Sequence, residues 1–349
     1  MSTPKRLWLL NDGRAGHMNQ AKGLIALLEE HGQTFQVDTI DCHPRLKLAN
    51  RLGTWWLNTL PPGASAHLAL LGYRMSTLPS GRPDLILSAG GDTAVANAAL
   101  ARQLSAPNLF IGSRRRLRPE RFTLYLTLEA QGGTNNLVMP IPPSPLTPAH
   151  CRAEGSALRA AHGDAPLWAI LIGGTGAGFT YTNADWDALA EGLNSLSRRF
   201  GGRWLLTTSR RTGDAVEQYL RTRLHPDSLA DATWYHHAPR KVMAAYLGAA
   251  DAILCTADSM SMLADGLNAG KAVTSLWPVQ AQPDAQYVQA LAQLAAHLPL
   301  SQCAMSNLRK DVPQALMQTE SSERHLLDLR RELANTIIQR IVTLKPSAA

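Results

Sequence analysis

The sequence predicts an α/β protein built from two doubly wound domains in tandem. Three observations carry that expectation. Short apolar runs suited to buried parallel strands alternate with helical stretches. Most of these runs end in a glycine-bearing loop. The whole pattern then restarts after a proline-rich stretch, as two parallel sheets with helices on both faces would require.

In chain order, Leu7–Leu10 reads as a buried strand and Asn11–His17 as a loop. A helix is expected over Asn19–Glu30, with Leu24, Leu27 and Leu28 on one face. Strands follow at Phe35–Ile40, Leu85–Leu87 and Asn108–Ile111, with an alanine-rich helix from Thr93 to Leu104. Met139–Pro148 holds five prolines in ten residues and reads as a stiff interdomain linker. Beyond it the strands are Leu167–Ile172, Arg203–Thr207, Ala252–Cys255 and Val273–Leu276. Helices are expected over Asn183–Phe200, from Ser259 to Asn268 with a stop at Gly270, and over Glu323–Leu344. The domains are thus 1–148 and 149–322, followed by a C-terminal helix and tail, 323–349.

Composition narrows the function. The chain has 349 residues, 45% hydrophobic and 17% charged, which excludes a disordered or collagen-like protein. The net charge of +7 is uneven. Residues 1–148 hold 15 basic and 9 acidic side chains, whereas the rest is nearly balanced. An anionic partner is therefore expected on the N-terminal half. Cys42, Cys151, Cys255 and Cys303 show no C-x-x-C spacing, which argues against a zinc ribbon or a disulfide framework and suits a reducing compartment. No signal-peptide core and no membrane-spanning run is visible, so a cytoplasmic protein, peripheral on the inner face of a membrane, is expected.

The chemistry concentrates in loops after strands. Asn11–His17 puts Gly13, Arg14 and Gly16 before a helix start that can receive an anion, with Asp12 and His17 beside them. Gly90-Gly91-Asp92-Thr93 is a second such loop, where Asp92 either caps the next helix or contacts a ligand. Gly173–Gly178 offers four glycines in six residues, a diphosphate cradle around Gly174, Thr175 and Gly176, without the Lys-Ser/Thr of an ATP-hydrolysing loop. Ser209, Arg210 and Arg211 end a strand where two arginines could clamp phosphates. In Thr256–Asp265, Asp258, Ser259 and Ser261 open a helix, and Asp265 lies two turns further along one face, placed for a ribose hydroxyl. Met260 and Met262 read as core.

Two metal patterns are weak. Asp185-Trp186-Asp187 has a metal-binding D-x-D form but sits where a helix start favours carboxylates. The pair His236-His237 lacks a third ligand nearby in sequence. Arg45–Leu60, with Trp55 and Trp56, mixes bases and aromatics in the manner of a bilayer-interface segment, and Arg114–Arg118 adds charge to the same domain. The plain alternative is a partly buried helix and a solvated loop. Nucleic-acid binding is disfavoured, because no reading module is visible and aromatics are only 6%.

Three stretches occur in order and span most of the chain: Trp8–Gln20, Thr207–Arg211 and Thr256–Met262. On these residues the sequence resembles the ELM1-like family, named for a plant mitochondrial fission factor and holding many bacterial members. Its layout is similar to that of GT-B glycosyltransferases, especially the lipid II-forming N-acetylglucosaminyltransferase. The points of similarity are a G-x-x-G-H loop at Gly13–His17, a second glycine pair at Gly90-Gly91, and an acid five residues before a glycine at Asp265 and Gly270. The usual acid there is Glu, so Asp265 reaches one methylene less.

The resemblance implies two Rossmann-like domains, with the C-terminal helix returning to the N-terminal one. It implies transfer of a sugar from a nucleotide-diphosphate sugar to an envelope or lipid-linked acceptor, with no metal or further cofactor. The donor falls to Gly174, Thr175, Gly176, Ser209, Arg210, Arg211, Asp258, Ser259, Ser261 and Asp265. The acceptor side falls to Gly13, Arg14, Gly16, Gly91 and Asp92, with His17 or Asp12 as general base. Two alternatives stay open on the same scaffold. One is a non-catalytic recruitment protein at a membrane, and the other is a sugar-nucleotide epimerase.

Overall fold

The structure, a computed structural model, describes residues 3–46, 48–317 and 323–343. Lys47, in the basic Arg45–Leu60 segment, and the tail 344–349 lie outside the described residues. The chain separates into two units. One runs to Pro145 and resumes at Asp328, and the other is Leu146–Leu327.

The first unit contains β1 (Lys5–Asn11), α1 (Ala15–Glu30), β2 (Phe35–Pro44), α2 (Ala49–Thr59), α3 (Pro62–Leu71), β3 (Tyr73–Met75), β4 (Leu85–Ala89), α4 (Ala94–Leu104), β5 (Asn108–Ile111), β6 (Leu124–Thr127) and β7 (Asn136–Val138). Its seven-stranded sheet has the order β3-β2-β1-β4-β5-β6-β7 and is parallel except for β3 against β2. The apolar run in β1 is explained by burial on both faces. Leu7 and Leu9 pack with Leu24, Leu27 and Leu28 of α1. Trp8 and Leu10 pack on the other face with Leu57, Ala66, Ala69 and Val95.

The second unit contains α5 (Pro148–His162), β8 (Leu167–Ile172), β9 (Phe179–Thr180), α6 (Asn183–Phe200), β10 (Arg203–Thr208), α7 (Asp214–Arg223), β11 (Leu229–Thr233), α8 (Met243–Ala249), β12 (Ala252–Thr256), α9 (Met260–Asn268), β13 (Val273–Trp277), β14 (Gln280–Ala281), α10 (Ala285–His297), β15 (Leu300–Ala304) and α11 (Leu308–Met317). Its main sheet is all-parallel, in the order β11-β10-β8-β12-β13-β15. Trp168, Ile170 and Ile172 pack with Trp186 and Leu189 of α6, while Leu167 and Leu205 pack with Tyr246 and Ala249 of α8. Helices α5 and α8 cross at two glycines: a Cβ on Gly155 would lie 2.5 Å from the Ala249 nitrogen, and one on Gly248 would overlap the Cys151 carbonyl.

The last helix, α12 (Glu323–Thr343), returns to the N-terminal sheet. Leu333, Ala334 and Ile337 join the core of α1 and β1, and buried Arg330 meets the Glu30 carboxylate at 3.0 Å.

Three local expectations change. Helix α1 begins at Ala15, so Gly16 and His17 are helical rather than in the loop. The proline-rich stretch is not a free spacer: Met139, Ile141 and Ser144 are buried, and a Cβ on Gly23 of α1 would touch the Ser144 nitrogen at 2.5 Å. Its last proline, Pro148, opens α5, where the missing N–H costs nothing. Met260 and Met262 are only half-buried.

In each sheet the winding direction reverses once, between β1 and β4 in the first unit and between β8 and β12 in the second. Loops at the carboxyl ends of those strands flank the place where ligands bind in such sheets. Asn11–His17, Gly90–Thr93, Gly173–Gly178 and the start of Thr256–Asp265 follow those strands, and Ser209–Arg211 follows the neighbouring β10.

Candidate functional site

In the first unit, the turn after β1 is shaped by its own carboxylate and amide groups. The Gly13 N–H donates to Asn11 Oδ1 at 2.9 Å, and the Arg14 N–H donates to Asp12 Oδ1 at 3.0 Å. Gly13 takes φ +77°, which its lack of a Cβ allows. The turn delivers Asp12 Oδ2 to within 2.6 Å of His17 Nδ1. The Asp12 side chain is 2% exposed and that of His17 28%, so the carboxylate is sealed behind the imidazole. An ionised carboxylate accepts from Nδ1–H, which leaves Nε2 as the basic ring nitrogen.

The loop after β4 completes this site. Gly90, at φ +86°, leaves the room that the His17 ring occupies; any Cβ there would fall within the ring. Gly91 does the same for the guanidinium of Arg115. Asp92 is not the helix cap: Thr93 holds that position in α4, and Asp92 Oδ2 pairs with Arg14 Nη2 at 2.8 Å. Gly16 is helical, and a Cβ there would meet open space, so packing does not demand a glycine. Cys42, near Asp12, is a buried thiol pushed up to about 12 by burial and by that carboxylate, which leaves it inert.

In the second unit three loops meet at the carboxyl ends of β8, β10 and β12. The Gly173 N–H donates to Thr256 Oγ1 at 2.7 Å. The Ser209 hydroxyl donates to the Gly173 carbonyl, and Thr212 Oγ1 reaches the same carbonyl at 2.8 Å. A Cβ on Gly174, at φ +133°, would overlap the Arg211 carbonyl. Arg211 Nη2 lies 2.8 Å from Asp258 Oδ2, and Tyr181 donates to Asp258 Oδ1 at 2.9 Å. The Arg211 contact is electrostatic, since Oδ2 receives no well-directed hydrogen bond. Burial pushes the Asp258 carboxyl above the usual range, and the Arg211 guanidinium opposes it.

Asp258 is therefore not presented to a ligand. Its fully buried side chain orients Arg211 and Tyr181 instead. Arg210 is exposed on the same turn, with its carbonyl 3.2 Å from His236 Nε2. Ser259 caps α9, and its hydroxyl lies 3.5 Å from that of Ser261. Thr175 is exposed and Asp265 half-buried. The Gly176 N–H is engaged by the Phe179 carbonyl, so part of the glycine loop is spent within the protein.

The metal patterns resolve differently. Asp185 forms a capping box with Thr182 and accepts from the Val279 N–H at 3.0 Å, while Asp187 is held by Tyr219 and Arg223. Neither is available to a cation. For His237, the expectation of no third ligand is corrected: Asp214 and Glu217 come within 4.8 Å ligand-atom spacing of it. Glu217 is buried and already accepts from Thr208 Oγ1 at 2.6 Å and from the His236 N–H.

Tyr181 and Thr212 were missed in the sequence, and Gly90, Arg115 and Thr256 stood in named stretches without an individual role. Gly90 was legible as half of a glycine pair. Tyr181 and Thr212 carry no motif, and the role of Thr256 within its motif depends, like theirs, on partners from other strands.

A model of the family described as mitochondrial fission ELM1 matches residues 15–341. The chain belongs to the ELM1 family. This ELM1 chain matches none of the curated proteins. Solved structures share its fold at low identity. A candidate UDP-N-acetylglucosamine 2-epimerase from Listeria monocytogenes has a TM-score of 0.58 at 12% identity, covering 98% of the ELM1 chain and 96% of its own. UGT89C1 of Arabidopsis thaliana, complexed with UDP, has 0.56 at 14%, covering 97% and 100%. MurG of Acinetobacter baumannii has 0.52 at 16%, covering 98% and 100%. The ELM1 chain thus has the two-domain, Rossmann-like GT-B fold.

Proposed function

We propose that the protein is a GT-B-type glycosyltransferase that takes a nucleotide-diphosphate sugar as donor and an envelope or lipid-linked hydroxyl compound as acceptor, without a metal. The observation that carries this reading is the sealed Asp12–His17 pair at the winding reversal of the first sheet. His17 Nε2 removes the proton of the acceptor hydroxyl as that oxygen bonds to the anomeric carbon. The bond from that carbon to the diphosphate oxygen breaks, and the nucleoside diphosphate leaves with the electron pair. Asp12 holds the tautomer and balances the charge gained by the ring. On the second unit, Arg210, Arg211 and the start of α9 meet the diphosphate charge, and Asp265 takes the ribose. The incoming diphosphate competes with Asp258 for Arg211.

The test is calorimetric titration with UDP, GDP, ADP and CMP without metal, repeated on Asp265→Ala. One base bound selectively and lost in the variant is the expected result. No binding by any of the four would overturn the reading in favour of recruitment. Product analysis separates transfer from epimerisation, which changes the donor without an acceptor.

A second observation supports contact with an anionic membrane. Helix α2 buries Ala49, Gly53 and Leu57, while Leu48, Leu52 and Trp55 stay exposed on its outer side with Arg51. An apolar stripe with a tryptophan and an adjacent base suits the lipid interface. Among the described residues no helix is long and apolar enough to cross a membrane. Flotation with anionic liposomes should be salt-sensitive and lost in Leu52→Ser/Trp55→Ser; no flotation at low salt would refute it.

A further inference from the structure

In sequence, Arg114-Arg115-Arg116 is a plain run of charge. The structure separates the three. Arg114 turns inward and donates from Nη1 to the Leu117 carbonyl at 2.5 Å. Arg115 and Arg116 take φ +48° and +68°, a left-handed conformation that costs long side chains on the order of 1 kcal/mol or more each. The loop is held in it from outside: Asn58 donates to the Arg116 carbonyl and accepts from the Arg118 N–H, both at 3.0 Å, and Leu117 is fully buried.

The result is that Arg115 folds back over Gly91. A Cβ on Gly91 would meet Arg115 Cζ at 2.9 Å and overlap Nε. Gly91 has no positive φ, so its backbone does not require glycine; the space for the guanidinium does. The preceding residue, Gly90, gives the same space to His17. The imidazole and the guanidinium thus occupy the side-chain space of two consecutive glycines of one turn. The single carboxylate on this turn, Asp92, is taken by Arg14, and Arg115 makes no ion pair among the described residues.

We infer that Arg115 binds an oxyanion of the acceptor, so that the accepting hydroxyl belongs to a phosphorylated or carboxylated compound. The inference rests on the reading of His17 as the base at the acceptor hydroxyl. A planar guanidinium lying over Gly91 and without an ion-pair partner among the described residues is suited to bidentate recognition of phosphate or carboxylate. Arg115 is thus a specificity-determining group.

The test is amide NMR of the full chain titrated with inorganic phosphate and, separately, acetate, at constant ionic strength. In the wild type the amides of Gly90, Gly91 and Asp92 should shift and saturate, and the tighter anion names the acceptor group. Arg115→Gln should weaken binding about tenfold or more. Gly91→Ala, which displaces Arg115 without removing it, should do the same. Arg116→Gln should change it less than about twofold. Equal weakening by Arg115→Gln and Arg116→Gln, or shifts confined to the second unit, would overturn the assignment. The titration contains no nucleotide, so its failure alongside selective nucleotide binding removes the role of Arg115 alone.

Discussion

His17 Nδ1 lies 2.6 Å from Asp12 Oδ2, on a carboxylate that solvent scarcely reaches. The pair is local in sequence, five residues apart, yet it exists only because the turn after β1 folds Asp12 back against the first turn of α1. Asp12→Asn keeps the shape and presents the wrong tautomer. Release of nucleoside diphosphate should fall about 100- to 10,000-fold in Asp12→Asn and in His17→Ala. Nucleotide affinity, measured by calorimetry, should stay within twofold in both.

Gly90→Ala tests the same pair from below. The new Cβ would occupy the imidazole position at a left-handed φ. Stability should drop by about 1–3 kcal/mol in urea denaturation, and turnover should drop to the level of His17→Ala.

Arg211 and Asp258 are coupled by burial. Removing Arg211 strands a carboxylate whose side chain is fully buried. Arg211→Gln should lower both nucleoside-diphosphate affinity, by about tenfold or more, and stability, by about 1–3 kcal/mol. Adding Asp258→Asn should restore the stability and not the affinity. A double-mutant cycle by calorimetry and denaturation reads both.

Gly248→Ala should be among the most damaging single methyl additions, because α8 meets the Cys151 carbonyl of α5 there. A loss of about 2–4 kcal/mol is expected in thermal unfolding, with no change specific to ligand binding.

Lys271 is pulled below its usual range mainly by burial, with Asp251 opposing. The charged form is therefore disfavoured in the fold. The stability this group contributes is present above its ordinary value of 10.5 and is lost as pH falls through its lowered value. Lys271→Met should raise the melting temperature by about 2 °C at pH 7, and the gain should vanish near pH 10.5.

Much of the scaffold was legible because buried parallel strands are short, apolar and punctuated. Leu7–Leu10, Leu167–Ile172 and Ala252–Cys255 each appear as strands within a residue or two. The starts of helices were less so. Asn11–His17 reads as a polar loop, but the Asp12 turn lets the helix begin at Ala15, ahead of its first apolar residues. Strands β3, β6, β7, β9, β11, β14 and β15, and helices α2, α3, α5, α7, α8, α10 and α11, were missed or left ambiguous, since short or amphipathic segments take their place from neighbours distant in sequence.

The sequence by itself determined the fold class, the family and the glycine-bearing loops at the ends of the strands, because periodicity, glycine placement and motif order are local properties. Only the tertiary structure decided what each side chain in those loops does. It turned Asp258 from a ligand group into a buried support for Arg211, and made Asp92, legible as either a cap or a ligand contact, the partner of Arg14. It also drew Arg115 out of a run of like charges and laid it over Gly91, the neighbour of the glycine that makes room for His17. Those roles rest on burial and on contacts across strands, which a linear pattern does not encode.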